Sequence, residues 1–307
     1  MSLITLNSYA TTIEEDFSST PLERGWQISG NHSLIQWNQK AQCMDIMWNS
    51  SQTNSFFFYP LKVILTKQEN FGFEFDLQVY EAIAGTSPQK PFTFELAIGL
   101  VNMTNILSPT FYRGTAASSP NLVEFDYFPD SGYGATVSPI IVSDNNRFFP
   151  SFAFPFELSP ENIYHIKLEY QAETKTLSTT VLENNRPTQS IPPIKLPPES
   201  SDFFVDAFSI SSYSDHGAGG SIQARGTVDN ILIRLPDSPP KIQGYKSGSQ
   251  FKLAFTARAG VMNSIEQSTD LKTWKTIFEI IPDTPRNITA ETPCEMSGCA
   301  FYRLRYE

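Results

Sequence analysis

The segment Val123-Glu124-Phe125-Asp126-Tyr127-Phe128-Pro129-Asp130-Ser131-Gly132 holds three carboxylates at offsets of zero, two and six in an otherwise apolar stretch. Read as a strand, it sends Glu124 and Asp126 to one face and Phe125 and Tyr127 to the other, because successive side chains alternate across a sheet. Two acids side by side repel unless a cation, a catalytic role or bulk water compensates them. Those three outcomes describe a metal-binding module, a hydrolase and a sandwich with a wet acidic face.

Other chemistry-bearing residues are dispersed. Sugar-binding surfaces stack an exposed ring on a pyranose face and read its hydroxyls with amides, carboxylates or imidazole. Tyr127, Tyr133, Tyr213, Asp215 and His216 lie on the acidic strand or near expected loops and are the carbohydrate candidates. Trp26, Trp37 and Trp48 fall in alternating stretches and read as core. Ser214-Asp215-His216 joins three triad residue types in sequence, but no Gly-x-Ser-x-Gly elbow precedes a helix, so a hydrolytic triad is not expected. The run Gly217-Ala218-Gly219-Gly220 leads into a strand rather than a helix, which excludes a phosphate loop. Asp16 and Asp229 sit on the first and last strands, which neighbour each other in many sandwiches. Sharing a structural calcium and capping a local turn are both open to this pair. Cys294 and Cys299 are spaced to close a small disulfide loop, while Cys43 stands alone in an alternating apolar stretch.

The elements that must position these groups read as strands. Phe71, Phe73, Phe75, Leu77 and Val79 take the odd positions of one run with polar residues or glycine between them, so one face is core and the other wet. Met44, Ile46 and Trp48 repeat the pattern, as do Phe92 to Leu100 and Tyr164 to Tyr170, the last forming a hairpin with Leu177–Leu182. Residues 104–120 read as turn-rich, and the five prolines between Pro187 and Pro198 imply an extended surface crossing. Further strands are expected at Ala135–Val142, Asp206–Ser212 and Gly226–Leu235. Aromatic residues make up 13% of the 307, and 22 prolines and 16 glycines punctuate them, which is the composition of an all-β protein. The expected fold is all-β: a two-sheet antiparallel sandwich over residues 1–236, a linker at 237–240 and a small β-sandwich over 241–307.

A formal charge of −10 argues against nucleic acid or an anionic membrane as a partner. No apolar run reaches the roughly 20 residues that a spanning helix needs, so no membrane insertion is expected.

The pattern Val123-Glu124-Phe125-Asp126 followed by Phe128-Pro129-Asp130 resembles the metal-binding strand of legume-type lectins in the concanavalin A-like lectin/glucanase superfamily. That resemblance implies a jelly-roll sandwich. It makes Asp126, the Phe128 carbonyl and Asp130 calcium ligands, with Glu124 on a second metal and Asp144 or Asp215 completing the shell. The pattern departs where the family continues with an aspartate and a histidine, since Gly134-Ala135-Thr136-Val137 and Ile140-Ile141 stand there. The same superfamily includes laminarinase-like glycoside hydrolases with the signature Glu-x-Asp-x-x-Glu. Glu124 and Asp126 match it, but its acid/base position falls on Pro129, which cannot transfer a proton.

More widely, three groups of residues resemble secreted concanavalin A-like modules of verrucomicrobial and planctomycete-type bacteria. They are Glu15-Asp16-Phe17 with Trp26, Val123–Gly134, and Tyr213-Ser214-Asp215 with Gly226-Thr227-Val228-Asp229-Asn230. Ser268-Thr269-Asp270-Leu271 with Trp274, and Phe301-Tyr302-Arg303-Leu304, resemble the small C-terminal β domain of such proteins. The resemblance implies an exported, non-catalytic protein, and the first reading is a lectin-like one, secreted or on the cell surface, that binds a polysaccharide or glycan with calcium as its only expected cofactor. An adhesion protein with a surface-protein partner and a laminarinase-like enzyme are the alternatives.

Overall fold

In the computed structural model, the described residues are 9–114, 117–130, 132–236, 242–248, 250–257, 262–283, 286–293 and 300–306. Cys294, Cys299 and residues 237–240 lie outside them. Spatial neighbours divide the chain into two compact units, Met1–Asp237 and Ser238–Glu307.

The larger unit is built almost wholly of antiparallel strands. In chain order they are β1 (Tyr9–Glu15), β2 (Gln27–Ser29), β3 (Ile35–Asn38), β4 (Cys43–Asn49), β5 (Ser55–Leu65), β6 (Phe71–Ala84), β7 (Leu96–Val101) and β8 (Leu122–Phe128). There follow β9 (Thr136–Val142), β10 (Phe148–Pro150), β11 (Tyr164–Gln171), β12 (Thr176–Glu183), β13 (Arg186–Pro187), β14 (Ile194–Lys195), β15 (Val205–Ser212) and β16 (Ile222–Pro236). A seven-stranded sheet runs β10-β9-β8-β7-β15-β5-β2. A nine-stranded sheet runs β13-β12-β11-β6-β16-β4-β3, with β1 also on β16 and β14 on β12.

The two sheets meet through the aromatic residues that the period-two pattern assigns to the core. Phe75 on β6 sits edge-on to Phe125 on β8 at 6.0 Å, and Phe73 sits edge-on to Phe208 on β15 at 5.6 Å. Trp26 stacks on Phe57 at 4.5 Å. Each of these rings is buried, and burying one side chain of this size contributes roughly 1.5–3 kcal/mol. The unit is therefore a two-sheet antiparallel β-sandwich with a single aromatic core.

Local departures from the sequence pattern have local causes. The strand expected from Phe92 starts at Leu96, because Phe92 instead bridges Gly220 and stays 59% exposed. Within the turn-rich stretch, Met103–Ile106 makes one helical turn, whose N-terminus is capped by the Asn102 side chain accepting from the Asn105 N–H. The proline-rich crossing is anchored where Ile194 and Lys195 pair with Leu177 and Thr176.

The smaller unit holds two three-stranded antiparallel sheets. One comprises β17 (Gln243–Ser247), β18 (Gln250–Ala257) and β21 (Arg286–Pro293); the other comprises β19 (Asn263–Ser268), β20 (Lys275–Ile280) and β22 (Phe301–Tyr306). Leu253, Phe255, Ala257, Ile265, Ala290 and Leu304 form its core. Its aspartate-to-tryptophan segment is a capped turn. Asp270 accepts from the N–H groups of Lys272 and Thr273, and Arg303 lies over the Trp274 ring at 4.2 Å.

Candidate functional site

The acidic strand sits near the middle of the seven-stranded sheet, between β7 and β9. Register places Glu124 opposite Gly99 and Asp126 opposite Ala97, and carries the same rows on to Ser209 and Ser211 of β15. Small residues beside the acids leave room above this face of the sheet. A methyl group added at Gly99 would come within 2.4 Å of the Val123 carbonyl oxygen, so the close approach of β7 to β8 depends on glycine there.

That room is filled by Arg113, which arrives from the turn-rich segment between β7 and β8. Its guanidinium donates to Asp126 Oδ2 at 2.5 Å and to Glu95 Oε1 at 2.9 Å, and it lies 3.6 Å from Glu124 Oε2. Tyr213, just beyond β15, donates its hydroxyl to Glu124 Oε1 at 2.5 Å, and its ring lies 5.3 Å from the guanidinium. All five side chains are buried. Three carboxyl groups thus face one guanidinium, and full ionisation would leave two negative charges uncompensated inside the protein.

Burial raises the Glu124 carboxyl to about 7, against the lowering pull of Arg113 and the Tyr213 hydroxyl. Burial also raises Asp126 well above the usual carboxylate range. Among the described residues, Glu124 Oε2 and Asp126 Oδ1 find no hydrogen-bond donor, which a neutral carboxyl tolerates better than an ionised one.

The residues named for calcium at this strand have other partners in the structure. The position between Glu124 and Asp126 that a cation would take belongs to Arg113. Phe128 pairs with Thr136 in the sheet ladder. Asp130 is turned outward, and its Oδ1 accepts from the N–H groups of Gly132 and Gly134 at 2.7 and 2.6 Å, which hold its carboxyl below the ordinary range. The further ligands named for that shell are elsewhere. Asp144 follows β9 at the opposite end of the β8–β9 pair, and Asp215 is ion-paired with Lys90. Asp16 and Asp229 do lie near each other, and Asp16 helps to raise the Asp229 carboxyl after burial and Asp76. Asp16 accepts from Ser18 and pairs with Arg24, while Asp229 accepts from the Asn230 N–H. Among the described residues, no group of three or more His, Cys, Asp or Glu side chains is arranged to hold a metal.

Beside the charge cluster, beyond the paired ends of β5 and β15, opens a cavity of about 870 Å³. One wall is the segment Ile106–Tyr112, the other Ser214, His216 and Gly217, and Asn54 and Phe56 belong to its floor. Asn54 ties the walls together: its Oδ1 accepts from the Ser214 N–H at 2.7 Å and its Nδ2 donates to the Phe111 carbonyl at 3.4 Å. Phe56 and Phe111 both rest on Tyr213, with ring centroids 5.9 and 5.7 Å away. The lining combines aromatic and aliphatic groups with hydroxyls, an amide and an imidazole, and among the described residues it contains no carboxylate, ammonium or guanidinium.

The five carbohydrate candidates separate on burial. His216 is exposed and lines the cavity, and Tyr133 is 78% exposed on the loop after β8. Tyr127 is buried and its hydroxyl accepts from the Leu158 N–H, so it cannot stack on a sugar. Tyr213 is buried within the charge cluster, and Asp215 is held by Lys90 and Ser50. Sequence reasoning missed Arg113, Glu95, Asn54 and Tyr112. A signal for the first existed: Arg113 is the only charged residue between Glu95 and Glu124.

No protein-family model and no curated protein sequence matches the chain. Among solved structures, it is similar to a legume lectin-like domain from Entamoeba histolytica, at 11% identity over 73% of this chain and 97% of that one, with a TM-score of 0.46. It is similar to peanut lectin at 14% identity over 75% and 100% of the two chains, with a TM-score of 0.45. It is similar to lectin I from Ulex europaeus, solved with the methyl glycoside of α-L-fucose, at 12% identity over 72% and 97%, with a TM-score of 0.42. At such identities the likeness is one of strand arrangement.

Proposed function

We propose that the larger unit is a non-catalytic, lectin-like module that binds an uncharged saccharide in the cavity between Ile106–Tyr112 and Ser214–Gly217. The observation that carries this reading is the lining itself. Its volume suits a small ligand, its rings and aliphatic groups suit the apolar face of a sugar, and its hydroxyl, amide and imidazole groups suit sugar hydroxyls. With no charged side chain in the lining and −10 overall, an acidic sugar would find no counter-charge there.

Hydrolysis at the acidic strand finds no support. Glu124 and Asp126 are 0% and 1% exposed and lie beneath Arg113, out of reach of a polysaccharide. Calcium is not part of the binding proposal, because Arg113 already supplies the positive charge at that strand. Secretion or surface display belongs to the same reading, and a disulfide between Cys294 and Cys299, which their spacing permits, would accord with an oxidising compartment.

A glycan array carrying neutral and sialylated oligosaccharides tests the function. Binding to a neutral subset is expected, weakened at least tenfold in Tyr112→Ala and in His216→Ala. Silence across the array, with the variants folded, would leave the adhesion reading in its place.

A further inference from the structure

Both walls of the cavity are fastened to the same buried acids. Tyr112 precedes Arg113 directly, so the wall Ile106–Tyr112 ends on the guanidinium that contacts Glu95, Glu124 and Asp126. On the other side, Tyr213 precedes Ser214 directly, and its hydroxyl reaches Glu124. The two anchors also touch each other, guanidinium over ring, and Phe56 and Phe111 of the cavity rest on that same ring. Nothing in hairpin or sheet geometry requires a single group of charges to serve both loops.

We propose that Arg113 and Tyr213 are positioning residues that pin the two cavity walls to β8, so that the walls open more readily as the buried carboxyls beside Arg113 lose protons. The inference deepens the binding proposal and rests on the cavity being the ligand site. The groups that face Glu124 are Arg113 from the β7–β8 segment, Tyr213 after β15, Glu95 just before β7 and Asp126 on its own strand. Ionising the last carboxyls puts unpaired negative charge on oxygens that have no donor. Opening the walls to water relieves that charge, so opening becomes easier as pH rises. Acidification has the opposite effect and keeps the walls closed.

Hydrogen exchange on the ligand-free full chain tests this without reference to any sugar. The reporters are the Tyr112 N–H, bonded to the Ser118 carbonyl, and the Ser214 N–H, bonded to Asn54. Amides of β11, on the other sheet, serve as reference. After correction for intrinsic exchange, protection at both reporters is expected to fall together by tenfold or more between about pH 5.5 and 8, while β11 stays level. Glu124→Gln keeps an acceptor for Tyr213 and removes the charge, and should flatten both profiles. If that variant does not fold, Asp126→Asn is read in the same way. Flat wild-type profiles, a response in one wall only, or an equal response in β11 would overturn the proposal. A silent glycan array would leave this result standing, so the two readings fail separately.

Discussion

At the scale of single residues, one arginine meets both acids of β8. Glu124 and Asp126 share a face, as alternation requires, and Arg113 compensates them in part. The sign of the resulting pH dependence follows from linkage. The Glu124 carboxyl is raised by burial to about 7 in the folded protein and keeps its ordinary value of 4.5 unfolded. Its contribution to stability is therefore fully present below about pH 4.5 and is lost as pH rises through about 7. Thermal melts are expected to show a Tm that falls from pH 5 to pH 8 in the wild type and falls less in Glu124→Gln. Asp206, raised by burial to about 6, contributes in the same sense and remains in both proteins, so the difference between them isolates Glu124. Equal slopes would contradict an excess of buried acid. Part of this was legible, since three acids in an apolar run demand a partner. Its identity was not, because a lone Arg113 in a turn-rich stretch carries no periodicity to say where its loop folds back.

At the scale of elements, the strands followed from period-two alternation because each has one face in an aromatic core, and Phe73, Phe75 and Phe125 sit where that pattern puts them. Phe125→Ala is expected to cost about 3–5 kcal/mol in denaturant melts, as for other buried Phe to Ala changes. The opposite face of β8 was not legible, because its neighbours Ala97, Gly99, Ser209 and Ser211 read as unremarkable small residues until register lines them up under Arg113. Gly99→Val tests that close approach. Its added carbons meet the β8 backbone, and a loss of about 1–3 kcal/mol is expected; an unchanged midpoint would show that β7 and β8 can separate freely. The cavity walls belong to loops, whose paths depend on side-chain anchors rather than on periodicity. This explains why His216 was named from sequence while Tyr112 and Asn54 were not.

At the scale of the whole molecule, composition alone indicated an all-β protein with an acidic charge balance, and both units are antiparallel β structures. Tyr127 and Tyr213 show the limit of that reading: a tyrosine count cannot separate rings that stack on ligands from rings whose hydroxyls are tied up inside. The oxidation state of the chain has a direct check. Thiol titration of the denatured, unreduced protein is expected to find one reactive group, Cys43, and three after reduction; three before reduction would remove the proposed Cys294–Cys299 bridge and its argument for export. Cys43 is buried, which raises its thiol to about 11 and keeps it unreactive in the native protein.

The proposed saccharide site is neutral, needs no calcium and lies in the cavity rather than on the acidic strand. Calorimetric titration of the best neutral oligosaccharide from the array, into wild type and Tyr112→Ala with chelator present, tests all three points at once. Binding by the wild type that is unaffected by chelator and weakened at least tenfold in Tyr112→Ala is the predicted result. Binding that disappears with chelator, or that survives in Tyr112→Ala at full strength, would contradict it.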